Sequence, residues 1–332
     1  MALYEILSLD NIRIESDAEN YNYNSFILSQ DDKVIHTFFF KNTFASEIGT
    51  NVTQRLYKYP FFYRSMKDFS ILHLEGIHKY AVNSTQFITI FCFSLWFIKD
   101  NSVSLFISVT GTETKCYTVQ SSQVYTSSFG LTGDTRFSLD EINRAIEISD
   151  RLNLLTTTQH HFGYQEIPAR LNSSNISPDY FLDYNSTDRI SRAIQFLTLA
   201  RTQPHLHTKI SLYVPIYECL FSGDESSEVS HKVSERAAFY LGDNVTERTS
   251  IYDLLKSTYN LRSRYLHGQT LDTKKSKKYD TLDKLRKLST DIDSLTRRLM
   301  TKVIMQDSEI FLQEDDKLNK HFKDLIFSWK NS

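Results

Sequence analysis

The sequence predicts an α+β fold, with a β-rich N-terminal domain over residues 1–165 followed by an all-α helical bundle over residues 180–332. Three observations predict it. Segments before residue 135 are rich in Phe, Tyr, Ile, Val and Thr, which favour strands. Segments after Asp179 repeat their apolar residues every three or four positions, the period of an amphipathic helix. Between them, Gly163, Pro168 and Pro178 stand among polar residues and mark a long loop, so the boundary is placed at 165–180. A chain of 332 residues also has room for about two domains that each bury a core.

In the first domain, KVIHTFFF (33–40), FSILHLEGI (69–77), SVSLFISVTG (102–111) and KCYTVQSSQVYTSS (115–128) read as strands. FITIFCFSLWFI (87–98) is helix or buried strand, because Asn83 and Gln86 make an N-capping pattern ahead of it. It falls short of the roughly 20 apolar residues of a membrane span and is read as core. SLDEINRAIEISDRL (138–152) is a helix, opened by Ser138 and Glu141 as a capping box.

In the second domain, Ile190, Ala193, Ile194, Leu197 and Ala200 form one helical stripe, and Ile210, Tyr213, Val214, Tyr217, Leu220 and Phe221 form the next. Pro215 interrupts that second pattern, at a cost of about 3 kcal/mol unless packing compensates. A third helix is expected from about Glu225 to Leu241, capped by Ser222 and Glu225 and stopped by Gly242. The fourth is capped by Asn244 and Glu247, carries Ile251, Leu254, Leu255, Leu261, Tyr265 and Leu266 inward, and closes on Gly268 in a left-handed conformation. Long stripes from Leu282 to Val303 and from Leu318 to Trp329 complete the bundle.

Composition narrows the function classes. Apolar residues at 40% and charged residues at 23% match a folded globular chain rather than a disordered or fibrous one. The net charge of -2 means that any grip on nucleic acid comes from local clusters of Lys and Arg. Cys92, Cys116 and Cys219 are odd in number and widely spaced, which argues against a disulfide framework or a zinc knuckle and for a reducing compartment. The first residues lack a basic stretch followed by an apolar one, so no secretory signal is expected. A cytoplasmic protein with no membrane partner, no cofactor and no metal is the expectation. His160 and His161 are adjacent and without an evident third ligand, and they are read as linker residues.

The candidate chemistry lies at the end of the fourth helix, in YNLRSRYLHGQT (259–270). Arg262 and His267 are five positions apart, about 140° around an ideal helix, so they converge only if His267 leaves the regular helix or if two helix ends meet across a symmetric interface. Histidine is the side chain best suited to proton transfer near neutral pH. A guanidinium suits a phosphate whose charge grows in the transition state. Ser263 and Arg264 stand within a turn of His267 and can orient it or tune its charge, and Glu218 can accept a hydrogen bond from the arginine or serve in a surface or interhelical salt bridge. Lys274, Lys275, Lys277 and Lys278 follow in the next loop, where ammonium groups can hold RNA phosphates or simply keep the loop solvated. The alternative for the pair is structural, since a basic last turn and His-Gly are ordinary ways to finish a helix.

A longer pattern surrounds the pair. Glu218 to Phe221, Ser227 to Val229, Glu235 to Gly242 and Tyr259 to Gly268 follow one another, and Tyr213 to Gly268 as a whole resembles the Apea-like branch of the HEPN families. The resemblance covers about 185–300. It implies an all-α HEPN bundle whose R-x4-6-H motif, here Arg262 and His267, forms a metal-independent RNA-cleaving site at a homodimer cleft. It further implies a toxin or phage-defence effector of the abortive-infection kind, with RNA as substrate and an antitoxin or a phage-derived trigger as possible regulators. Many active relatives carry Asn, Asp or His after the arginine, where this chain has Ser263, as the Apea-like branch commonly does. A catalytically silent HEPN module that binds RNA, nucleotide or a protein partner is therefore the alternative. The N-terminal domain is expected to sense, restrain or select.

Overall fold

The computed structural model describes residues 3–15, 21–40, 48–66, 74–112, 116–121, 123–156, 188–223, 228–268 and 281–328. The fold is α+β, with a sheet-bearing N-terminal region and a helical C-terminal region. The chain forms two compact units. The first comprises Met1–Tyr125 and Thr132–Leu154, and the second comprises Thr126–Leu131 and Leu155–Ser332. The boundary read at 165–180 lies outside the described residues.

In the first unit the strands are β1 (Leu3–Asp10), β2 (Ile12–Ile14), β3 (Tyr21–Tyr23), β4 (Phe26–Ser29), β5 (Phe61–Met66), β6 (Ser104–Gly111), β7 (Cys116–Gln120) and β8 (Thr135–Phe137). Six of them make an antiparallel sheet in the order β3-β4-β5-β1-β6-β7, while β2 and β8 pair in parallel. The central strand β1 is buried on both faces because helices cover both. On one side Ile6, Phe61, Ile107 and Val109 pack with Ile35 and Leu56 from helices α1 (Asp32–Phe40) and α2 (Thr50–Leu56). On the other, Phe62 meets Phe91 edge-on at 5.1 Å, within helix α3 (Leu74–Ile98). Behind α3 lies α4 (Leu139–Thr156), joined by Ser94 Oγ donating to the Ala145 carbonyl at 2.7 Å.

Glu5 on β1 faces α3 and is fully buried. Its carboxylate accepts from Arg64 at 2.5 Å, from Thr110 at 2.9 Å and from Ser84 at 3.2 Å, so the buried charge is paired and hydrogen-bonded rather than stranded. The Arg64 guanidinium in turn lies over the rings of Phe26 and Tyr80 at 4.0 and 4.4 Å.

Four expectations for this unit are corrected. KVIHTFFF is helix α1, not a strand: Asp31 accepts from the Lys33 N–H at 2.9 Å, and packing of Ile35 against the sheet overrides the β propensity of its neighbours. The part of FSILHLEGI that is described, from Leu74 onward, is the start of α3, and residues 69–73 lie outside the described residues. Because α3 runs for 25 residues, Asn83 is interior to it and starts nothing. Its stretch Tyr80–Ile98 is long and apolar enough to cross a membrane, contrary to the count from Phe87, yet 72% of that window is buried inside the protein. Ser84, Thr85 and Thr89 fit there by donating to carbonyls one turn earlier. The α4 capping box forms in both directions, Glu141 N–H to Ser138 Oγ and Ser138 N–H to Glu141 Oε2.

The second unit contains α5 (Arg189–Thr202), α6 (Leu206–Phe221), α7 (Val229–Leu241), α8 (Val245–Leu266), α9 (Leu282–Met305), α10 (Ser308–Phe311) and α11 (Asp315–Ser328). Helix α6 continues through Pro215. The start of α7 departs from expectation: the helix begins at Val229 after Glu228 in a left-handed conformation, and Ser222 instead donates back to the Glu218 carbonyl at the end of α6. Glu225 lies outside the described residues. The α8 cap matches expectation, with Asn244 accepting from the Glu247 N–H at 3.0 Å.

Six residues of the first half complete this helical unit. Thr126 donates its N–H and hydroxyl to the Arg201 carbonyl at the end of α5, and its hydroxyl oxygen accepts from the buried Lys209 ammonium at 3.0 Å. Ser289 on α9 donates to the Ser128 carbonyl at 2.5 Å. Gly130 turns the segment with φ of 74°, and a Cβ there would stand 2.1 Å from the Pro204 carbonyl oxygen. Only glycine combines that dihedral with that approach.

Candidate active site

Helix α8 is held by its buried stripe: Leu261 packs with Leu206 and Ile210 of α6 and with Leu285 and Leu288 of α9. Arg262, the next residue, flanks that stripe and reaches across to α6. Its Nη1 donates to Glu218 Oε1 at 3.1 Å, with side chains 31% and 26% exposed. One turn earlier, the Tyr259 hydroxyl is buried, and its pKa is raised first by burial and then by the negative charge of Glu218. The arginine is thus fixed by a carboxylate while it keeps further N–H donors for a second acceptor. Cys219, beside Glu218, is pushed up to about 11 by burial, which keeps it a thiol at neutral pH and removes it as a nucleophile.

His267 leaves the regular helix, as convergence requires. It is the C-cap of α8, with φ -85° and ψ 10°, and its N–H bonds the Ser263 carbonyl at 3.1 Å. Gly268 then takes the expected left-handed turn at φ 65° and donates to the Tyr265 carbonyl. The His267 imidazole is exposed, and among the described residues it makes no hydrogen bond or ring contact. Within one chain the structure brings together Arg262, Glu218 and Tyr259, and it presents His267 to solvent at the same helix end. Ser263 is exposed and Arg264 half-buried beside it. Lys274, Lys275, Lys277, Lys278 and the His160–His161 pair lie outside the described residues.

Two residues of the sequence stripe are not core. Tyr265 is 39% exposed and Leu266 is 62% exposed; Leu282, at the start of α9, is 56% exposed. Tyr265 makes a contact that sequence reading missed, stacking on His207 of α6 at 5.7 Å and 17° and sharing a hydrogen bond of 2.9 Å with Thr208. No local signal announces it, since the partners are more than fifty residues apart; the only hint is an aromatic side chain set between an arginine and a histidine.

A cavity of about 430 Å³ opens elsewhere in the helical unit, lined among others by Lys232, Arg236, Lys323 and Phe327 from α7 and α11, and it includes neither Arg262 nor His267. Among the described residues no three His, Cys, Asp or Glu side chains converge as metal ligands. Comparison with family models, with curated proteins and with solved structures gave no match.

Proposed function

We propose that this chain is a metal-independent endoribonuclease of HEPN type, acting as a homodimer in the manner of a toxin or phage-defence effector. The observation that carries the reading is the end of α8. A guanidinium held by Glu218 and a solvent-facing imidazole at the C-cap stand five residues apart. In this reading Arg262 binds a non-bridging oxygen of the scissile phosphate, and the imidazole of His267 takes the proton of the 2′-hydroxyl. The 2′-oxygen then bonds to phosphorus as the bond to the 5′-oxygen breaks. The products are a 2′,3′-cyclic phosphate and a 5′-hydroxyl, the departing oxygen receiving its proton from a second imidazole or from water. The exposed Leu266 beside His267 supports pairing, because a second copy covering it across a twofold axis would bring its own helix end to the same place.

The test is labelled single-stranded RNA incubated in EDTA with wild type, Arg262→Ala and His267→Ala. Cleavage that ends in cyclic phosphates and is lost in both variants supports the assignment. Cleavage indifferent to both defeats it.

A second reading, a non-catalytic module that binds RNA, nucleotide or protein, is favoured by one observation. Arg262 already has a carboxylate partner, and no described acceptor orients the His267 imidazole. RNA retained by the wild type without cleavage of any substrate would select that reading.

A further inference from the structure

The last turn of α8 carries a side chain that the proposed chemistry leaves unused. Tyr265 is 39% exposed, yet it is not a free surface tyrosine. Its ring lies nearly parallel to the His207 imidazole in an offset stack, with centroids 5.7 Å apart and planes at 17°. Its hydroxyl is tied to Thr208 at 2.9 Å. Ring orientation is therefore set by the fold before any ligand arrives, and the entropy of fixing it is not charged to binding. Burial lowers the pKa of His207, so the floor beneath the ring is a neutral imidazole at neutral pH.

Position matters as much as rigidity. Tyr265 follows Arg262 by three residues and precedes His267 by two. Residues three apart on a helix have Cβ atoms about 5–6 Å apart, so the two side chains leave α8 side by side, and their heads are then held at different stretches of α6, the guanidinium at Glu218 and the tyrosine hydroxyl at Thr208. Tyr265 stays 39% exposed despite these contacts. A partly exposed, fixed aromatic ring on the same helix end as a phosphate-binding arginine suits a nucleobase that is not already stacked in a duplex.

We propose that Tyr265, seated on His207, is a base-stacking platform that selects single-stranded RNA and holds one nucleobase beside the phosphate bound at Arg262. The proposal rests on the ribonuclease reading above. Its test uses full-length protein and a mixed-sequence single-stranded RNA whose cut sites are first mapped with wild type. The RNA is then remade with an abasic nucleotide on either side of one cut. Tyr265→Ala should raise KM for the intact RNA roughly tenfold or more while kcat changes little, since stacking is lost but the reacting groups stay. Tyr265→Phe, which keeps the ring, should recover most of that loss. On the abasic RNA whose missing base is the stacked one, wild type and Tyr265→Ala should have the same KM. Penalties that simply add, or a KM rise that tracks a weaker dimer in ultracentrifugation, would overturn the platform and leave the ribonuclease intact. A wild type that cleaves no RNA would overturn both.

Discussion

Gly130→Ala should damage the helical unit even though residue 130 lies in the first half of the chain. Two terms set the size. An alanine at φ 74° costs about 1–2 kcal/mol for its backbone conformation alone. Its Cβ would also stand 2.1 Å from the Pro204 carbonyl oxygen, a backbone atom that cannot swing away, so the segment must shift. That shift strains the Gly130 N–H to Ser127 carbonyl and Ser127 N–H to Leu131 carbonyl bonds at 2.9 and 2.8 Å. At about 1 kcal/mol for each of the two bonds weakened, the total comes to roughly 3–4 kcal/mol. For a unit of this size that is a fall in Tm on the order of 5–15 °C. Gly133→Ala is the control, because no atom lies within 4 Å of its Cβ position and its φ is not positive. Thermal unfolding by circular dichroism, with hydrogen exchange at the Thr126 and Gln203 amides, reads both variants. A Gly130→Ala protein as stable as Gly133→Ala, with unchanged exchange at Thr126, would refute the claim that this segment is part of the helical unit.

Glu218→Gln should cost only about 0.5–1 kcal/mol of stability, because the pair with Arg262 is partly solvated. It should lower kcat/KM for RNA by roughly tenfold to a hundredfold through the loosened guanidinium, and steady-state kinetics beside chemical denaturation separates the two effects. His207 supplies a pH test. Its folded pKa is lowered from 6.5 by burial, so the unfolded chain takes up a proton in acid that the folded chain resists. Stability contributed by neutral His207 is complete above that value and is lost as pH falls from 6.5 toward the folded pKa. His207→Phe should flatten the slope of urea-unfolding free energy against pH in that window, and an unchanged slope would show that another group titrates there. If catalysis needs two helix ends, dilution below the dimer dissociation constant should lower specific activity, and a fully active monomer in ultracentrifugation would contradict the pairing.

The sequence revealed those parts of the fold whose physics is local. Asn244 with Glu247, Ser138 with Glu141, and Gly268 after His267 each satisfy helix-end groups within a few residues, so spacing alone identifies them. Helix α1 was misread because its Val, Ile, Thr and Phe residues favour a strand until the sheet beneath Ile35 supplies a surface to pack on. The insertion of Thr126–Leu131 into the helical unit left no periodic trace, since it is held mainly through backbone groups of α5 and through Lys209 and Ser289. At the candidate site, Glu218 on the second helix of the bundle was legible as an acceptor for the arginine or a salt-bridge partner, and the structure places it 3.1 Å from Arg262. Tyr265 was hidden by its own spacing, which matches the buried stripe although the residue is 39% exposed and meets α6 through His207 and Thr208.

The most direct test of the central claim is the single-turnover cleavage rate of labelled single-stranded RNA in EDTA by wild type and by His267→Ala, with helical content compared by circular dichroism. The account predicts cyclic-phosphate products from the wild type and a rate at least about a hundredfold lower in the variant, the loss typical of a general base or acid. Equal rates from the two proteins, or a folded dimeric wild type that leaves every RNA intact, would contradict it.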